Sequence, residues 1–269
     1  MKSTTQILFA LLGAIALAVL PATAQEIKDP NPVRGAAGCQ QGVDCIAPAA
    51  DSTGRIDQFG YSFFSDASGQ CVSDFQDISS TGTPVVWFPG LGDDDNTSEI
   101  ALSESFNFYG VDYNSLTMAT NGYITTDAMD GGTSLGNGGS LCPMPDELLS
   151  GGGARIHALI DDLVTETAFT QYFEECPRPS DRCRAAEPCT IFHWDNTAHY
   201  GTPQSPFDVE AILYHWTNDI VVQYDGFNPE DGSNSGTGLQ DVPGTPGPPY
   251  PTSVPQSGLT YQCDFPASM

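Results

Sequence analysis

The sequence predicts an all-β fold, an antiparallel, jelly-roll-like β-sandwich with disulfide bonds and long loops. Three observations favour this class. Short runs of alternating apolar and polar residues recur along the chain, and turns rich in Gly, Pro and Asn separate them. Beyond the N-terminal leader, by which we mean residues 1–24, no long stretch has helical periodicity. Many short strands with frequent turns are typical of two packed antiparallel sheets.

The N-terminal segment, residues 1–24, is typical of a secretory signal peptide. Lys2 precedes an apolar run over residues 7–20, and a small-residue cleavage site ends at Ala24. The run is shorter than the roughly 20 residues that a membrane-spanning helix needs. We therefore expect a secreted product, extracellular or periplasmic, that is not inserted in a membrane.

The chain is strongly acidic. It contains 34 Asp and Glu but only 8 Lys and Arg, which gives a formal net charge of −26. Such a surface repels phosphate backbones and anionic lipids, so nucleic acid is disfavoured as a partner. Calcium, cationic partners or a salty medium suit this charge, but simple solubility is the favoured explanation.

All eight cysteines follow the leader. An even count in an exported chain predicts disulfides, but spacing alone leaves their connectivity open. The predicted disulfide cysteines are Cys39, Cys45, Cys71, Cys142, Cys176, Cys183, Cys189 and Cys263.

After the leader, the sequence predicts an N-terminal arm over residues 25–56 and one sandwich domain over residues 57–269. The arm lacks sustained periodicity. The domain begins with three strand-like runs, at 59–64, more loosely at 72–78, and at 85–88.

The middle of the domain contains the strongest strand and turn signal. Residues 105–126 form two alternating runs, with a break at Tyr109-Gly110 and a tight turn at Asn121-Gly122. After a glycine-rich loop, residues 155–163 are apolar on both faces, which is typical of a strand that is buried on both sides or lies under a loop.

The C-terminal half continues the sheet pattern around a cysteine-rich insertion. The insertion spans residues 176–189 and contains three of the cysteines. A hairpin follows in which Val209, Ala211 and Leu213 share one face, and Asn218-Asp219 make the turn. The other predicted strands are 169–173, 191–194, 238–240 and 259–263.

An acidic loop offers the one candidate metal site for which the sequence makes a case. Its candidate ligands are Asp93, Asp94, Asp95 and Asn96. Calcium takes six to eight oxygen ligands, so a second segment such as Asp161-Asp162 must contribute. No EF-hand spacing is present, and a plain exposed acidic turn is the alternative.

Other catalytic or metal patterns lack their structural context, so we assign no catalytic residue. Residues 132–136 fit the G-x-S-x-G pattern of hydrolases, but no strand precedes them and no helix follows. His193 and His199 flank Asp195 at a spacing that matches no common zinc motif. Glu210 is the only acid inside a clear strand, on a face that indicates core.

Several segments occur in the order found in a module of bacterial exported proteins. This module is similar to the nidogen-like domains of extracellular matrix proteins. The matching segments are Gly60-Tyr61-Ser62-Phe63, residues 77–83, residues 106–110, Tyr113-Asn114-Ser115-Leu116, Asn121-Gly122-Tyr123-Ile124, Asp161-Asp162-Leu163, Trp194-Asp195-Asn196 and Gln223-Tyr224. The chain departs from the pattern at Ile160, where an aromatic residue is usual, and in its cysteine-rich insertion.

The resemblance implies a secreted, non-enzymatic domain that serves binding or structure at the cell surface, of the adhesion type. Its expected partner is an extracellular protein or a glycan. The resemblance assigns no catalytic residue to any position. The alternative is a secreted hydrolase that acts on polysaccharide from a β-sandwich scaffold, with Glu210 as its candidate acid.

Overall fold

The computed structural model describes residues 57, 59–63, 73–88, 90, 92–128, 130, 153–180, 186–201, 206–225, 236–241 and 258–263. Several sequence predictions lie outside these residues. They are the signal peptide (1–24), almost all of the arm (25–56), the G-x-S-x-G segment (132–136), and Cys39, Cys45, Cys71, Cys142 and Cys183. Within the described ranges, the chain contains no helix that could cross a membrane.

The described residues contain β-strands and no helix, which confirms the predicted class. The strands are β1 (Thr83–Pro84), β2 (Trp87–Phe88), β3 (Asn96–Thr97), β4 (Ile100–Phe108), β5 (Val111–Ala119), β6 (Tyr123–Thr125), β7 (Arg155–Ile160), β8 (Leu163–Phe173), β9 (Cys189–His199), β10 (Phe207–Tyr214), β11 (Ile220–Asp225), β12 (Gly236–Gln240) and β13 (Gly258–Cys263).

The strands form two antiparallel sheets that pack face to face. The first has five strands in the order β1-β8-β9-β10-β11. The second has eight strands in the order β13-β12-β7-β6-β5-β3-β2, with β4 paired to β5. The predicted hairpins are present, since β4 pairs with β5, β5 with β6, and β10 with β11.

The main core lies between the sheets, and hydrogen bonds as well as apolar contacts connect them. Phe192 and Trp194 of β9 pack with Met118 of β5 and other apolar residues. Trp194 Nε1 donates to the Ala119 carbonyl oxygen at 2.7 Å, and Tyr224 Oη donates to the Ala158 carbonyl oxygen at 2.7 Å. These bonds satisfy polar groups that burial would otherwise penalise.

The outer face of the five-stranded sheet is also covered. Residues 73–80, which we name the strap, cross this face. The Asp74 amide donates to Gln223 Oε1 on β11, and the Thr81 hydroxyl beside the strap donates to Gln171 on β8. Ile78 of the strap packs in a second apolar cluster, whose other buried members are Cys176, Cys189, Ile191, Ile212 and Tyr214.

The sequence predicted a strand over residues 72–78, and the structure shows the strap there instead. The run over 72–78 alternates only loosely, and residues 73–80 have no ladder partner. Instead, the Asp74 and Gln76 backbone amides of the strap donate to side chains of the sheet. The run over 59–64 likewise contributes only an isolated bridge residue, Ser62, among residues 59–63. Apolar side chains of both runs, such as Tyr61 and Ile78, pack against the domain, and this burial gives each run a strand-like apolar pattern without a ladder.

One disulfide closes the cysteine-rich insertion. Cys176 and Cys189 are bonded, with their Cα atoms 5.3 Å apart. The bond connects the segment after β8 to the first residue of β9, and both cysteines are buried in the outer cluster. This pair confirms that the chain is disulfide-bonded.

Candidate functional site

The acidic loop before β3 is held by its own buried aspartate. Asp95 is fully buried, and its Oδ2 accepts hydrogen bonds from the Gly92 amide at 2.7 Å and the Gly90 amide at 3.2 Å. Its own amide donates to the Thr120 hydroxyl at 3.0 Å. Asp95 therefore fixes the loop's shape, and the preceding Asp93 and Asp94 are partly exposed.

Asn121 connects this loop to a second one. The side chain of Asn121 is fully buried. Its Nδ2 donates to Asp94 Oδ1 at 3.0 Å, and its Oδ1 accepts from the Leu163 amide at 3.0 Å. The residue thus links the acidic loop to the turn between β7 and β8, which contains Asp161 and Asp162.

The two loops bring three carboxylates together. Asp93, Asp94 and Asp162 each place one carboxylate oxygen within 4.8 Å of the others, and all three side chains are partly exposed. We name these residues the acidic cluster. Nearby, the Asp161 side chain is buried, and its Oδ2 has no hydrogen-bond donor among the described residues. Clustered hard oxygens of this kind are the ligands that calcium prefers.

The electrostatics of the acidic cluster favour a cation. Burial, followed by repulsion from Asp94 and Asp162, raises the pKa of Asp93. Burial and then Asp94 raise the pKa of Asp162, and His199 partly opposes this rise. A bound divalent cation would replace this repulsion with attraction.

A family model described as NIDO related matches residues 64–257, which is most of the chain. The chain belongs to this nidogen-related family. No curated protein and no solved structure matches the chain. Membership supports an extracellular structural module, and together with the disulfide it is consistent with a non-cytoplasmic location.

The four predicted ligands of the nidogen-related domain divide into two pairs. Asp93 and Asp94 lie in the acidic cluster. Asp95 is occupied by backbone amides, and Asn96 donates from Nδ2 to the Asp130 carbonyl oxygen. Asp162 joins the cluster from the segment that the sequence identified as a second contributor. The contribution of Asn121 was not anticipated, because Asn121-Gly122 predicts a turn and gives no sign of the side chain's role.

Glu210 of the nidogen-related domain is buried beneath the strap. The Gln76 amide donates to both Glu210 carboxylate oxygens at 3.2 Å, and Gln223 Nε2 donates to Oε1 at 2.6 Å. Burial raises the pKa of Glu210 to about 7. The carboxyl is fully buried, so this structure does not present it to a polysaccharide.

The histidines of the nidogen-related domain do not come together at one site. His199 Nε2 lies 3.8 Å from Asp161 Oδ1. His215 contacts the Thr190 hydroxyl through Nε2 at 2.8 Å and the Ser105 carbonyl oxygen through Nδ1 at 3.3 Å, as expected of a satisfied core histidine. His193 lies on the outer face of β9, and burial lowers its pKa although Asp208, Asp195 and Asp77 oppose the shift.

Proposed function

We propose that this chain is a secreted, non-enzymatic domain that serves adhesion-type binding or structure in the extracellular space or at the cell surface. The match to the nidogen-related family is the observation that carries the proposal. The two-sheet framework and the disulfide support it, since exported domains commonly combine them. The leader supports secretion, and mass spectrometry of the exported chain should find Gln25 at the N-terminus.

The proposed partner is an extracellular protein or a glycan. Arrays of immobilised glycans and extracellular proteins test this directly, with the heat-unfolded chain as the control. We expect saturable binding by the folded chain without turnover of the ligand. Release of reducing ends from a polysaccharide, lost on Glu210→Gln, would instead establish the hydrolase alternative.

We further propose that calcium binds at the acidic cluster and stabilises the domain. Asp93 and Asp94 come from one loop and Asp162 from another, so an ion there would connect two segments that Asn121 already joins. Backbone carbonyls and water would complete the six to eight ligands that calcium takes. Extracellular calcium modules commonly bind in the range of about 10⁻⁴–10⁻³ M.

Calorimetric titration of the EDTA-stripped chain with CaCl2, together with thermal melts, tests the calcium site. At calcium about 100 times above Kd, we expect a stabilisation of about 2.7 kcal/mol. Asp94→Asn and Asp162→Asn should each remove most of this gain, because each removes a charged ligand. Asp112→Asn is the matched control, since Asp112 is an exposed acid that contacts Asn107 outside the cluster. Equal melting midpoints in EDTA and in saturating CaCl2 would contradict the calcium proposal.

A further inference from the structure

A second group of metal-ligating side chains lies on the outer face of the five-stranded sheet. His193 and Asp195 are two residues apart on β9, so they lie on the same face of the sheet. Asp208 is on the neighbouring strand β10. One potential ligand atom from each of these residues lies within 4.8 Å of the other two.

A β-bulge brings Asp208 into this group. The register between β9 and β10 shifts between Phe207 and Val209, and Asn196 has a positive φ of 55°. At the shift, the Asn196 amide donates to Asp208 Oδ1 at 2.9 Å. Bulges redirect side chains in this manner and are common beside functional sites.

The buried imidazole of His193 indicates that this group binds a ligand. Its side chain is fully buried, yet neither ring nitrogen has a hydrogen-bond partner among the described residues. The rings of Phe75 and Phe169 lie against it, with centroids 5.3 Å and 6.2 Å away. Because buried polar groups are normally satisfied, this imidazole requires an explanation.

We propose that His193, Asp195 and Asp208 form a binding site for a divalent transition metal of the zinc class. One imidazole and two carboxylates match the ligand types of protein zinc sites. The ion would satisfy the buried imidazole, and water would complete the shell because Asp195 and Asp208 are partly exposed. This site is independent of the acidic cluster and of the proposed extracellular role.

Hydrogen bonds from neighbouring groups already orient the Asp195 and Asp208 carboxylates. The Thr167 hydroxyl donates to Asp195 Oδ2 at 2.5 Å, and the Asn196 amide donates to Asp208. Ligating carboxylates in metal sites are typically held by such outer hydrogen bonds. Zinc–ligand bonds of about 2.0–2.2 Å need ligand atoms roughly 3.5 Å apart, so only small side-chain rotations would close the site.

The donor set distinguishes this site from the acidic cluster. Calcium prefers an all-oxygen shell, whereas imidazole suits zinc, cobalt, nickel and copper. We therefore expect zinc to bind at His193 in the presence of millimolar calcium. Calcium should occupy the acidic cluster without displacing zinc from His193.

Titration of the oxidised, metal-stripped full chain with Zn²⁺, and with Co²⁺ as a spectroscopic substitute, tests the proposal. We expect one tight equivalent of Zn²⁺ and visible Co²⁺ bands that Zn²⁺ abolishes. His193→Asn and Asp208→Asn should each weaken binding by at least about 10–100-fold, the range found even for outer-shell changes. Side-chain ¹⁵N spectra of the histidines should show the metal-induced shift at His193.

Matched variants separate this site from other sources of zinc binding. Asp94→Asn, in the acidic cluster, and Asp112→Asn, elsewhere on the surface, remove the same charge and should leave the zinc affinity unchanged. Asp208→Asn keeps the test valid if the buried His193 variant fails to fold. Absence of Zn²⁺ binding, or equal affinity in folded Asp208→Asn and the parent chain, would overturn the proposal.

Discussion

The most constrained single residue near the acidic cluster is Gly122. Its φ is 75°, and a Cβ at this position would lie 1.9 Å from the Leu159 carbonyl oxygen. That oxygen belongs to β7, whose Ala158 and Leu159 amides both donate to the Gly122 carbonyl oxygen at 3.0 Å. The turn therefore depends on close approach of two backbones, which only glycine permits.

Replacement of Gly122 by alanine should destabilise the chain by roughly 2–4 kcal/mol, since left-handed strain is added to a backbone clash. Gly201→Ala is the matched control, because Gly201 has the same φ of 75° but no atom within 4 Å of the added Cβ. It should cost only about 1–2 kcal/mol. Urea unfolding measures both variants, and equal losses would contradict the role of close approach.

At Glu210, the raised pKa predicts a pH dependence of stability. Burial raises the folded-state pKa to about 7 from 4.5, with Gln76, Gln223 and Arg178 opposing the shift and Asp74 adding to it. The folded chain thus holds the proton more tightly than the unfolded chain does. Protonation of Glu210 therefore stabilises the folded chain. This stabilisation is fully present below about pH 4.5 and is lost as pH rises through about 7.

Glu210→Gln should remove this dependence, because the amide cannot ionise. Relative to the parent chain, the variant should gain up to about 3 kcal/mol of unfolding free energy between pH 4.5 and pH 8. Denaturant unfolding at several pH values gives the difference directly. Parallel curves for the two proteins would show that Glu210 titrates normally.

Among the structural elements, the strap contributes stability through one buried side chain in particular. Ile78 is 2% exposed and packs on Ile191, Ile212 and Tyr214. Ile78→Ala should cost about 2–4 kcal/mol, because a cavity remains beneath the strap. Val86→Ala is the control, since Val86 is 79% exposed, and it should change stability by less than about 0.5 kcal/mol. Similar losses in both variants would indicate that the strap packs loosely.

Periodicity and turn chemistry predicted most of the elements. The hairpin of β10 and β11 has the predicted faces, with Val209, Ala211 and Leu213 in the main core and Ile212 and Tyr214 in the outer cluster. The strap was mispredicted, because alternation reports burial on one side and does not report ladder hydrogen bonds. A segment lying across a sheet produces the same pattern as a strand within it.

The candidate sites were only partly predictable. Asp93 and Asp94 were predicted as ligands because they cluster in one acidic loop, and Asp161-Asp162 was predicted as a second contributing segment. The structure brings Asp93, Asp94 and Asp162 together. The proximity of Asp208 to His193 was not predictable, because it depends on the β-bulge at Asn196, which shifts the register by an amount that spacing does not encode.

For the whole molecule, the net charge of −26 predicts a strong dependence on salt. Screening lengths fall from about 30 Å at 0.01 M salt to about 3 Å at 1 M, so self-repulsion is relieved. The melting midpoint should rise over this range in NaCl. CaCl2 at matched ionic strength should raise it further, because it adds site binding to screening, and equal rises in the two salts would contradict specific binding.

The strap also determines the order in which the domain can be completed. Asp74 and its partner Gln223 are separated by 149 residues, as are Gln76 and its acceptor Glu210 by 134. A segment made early in synthesis must therefore wait for strands made near the end. Such long loop closures are slow to form, whereas the disulfide between Cys176 and Cys189 spans only 13 residues. During synthesis, Phe75 and Ile78 of the strap therefore remain uncovered until β10 and β11 have followed. Keeping these two side chains away from other chains is then a requirement for productive folding.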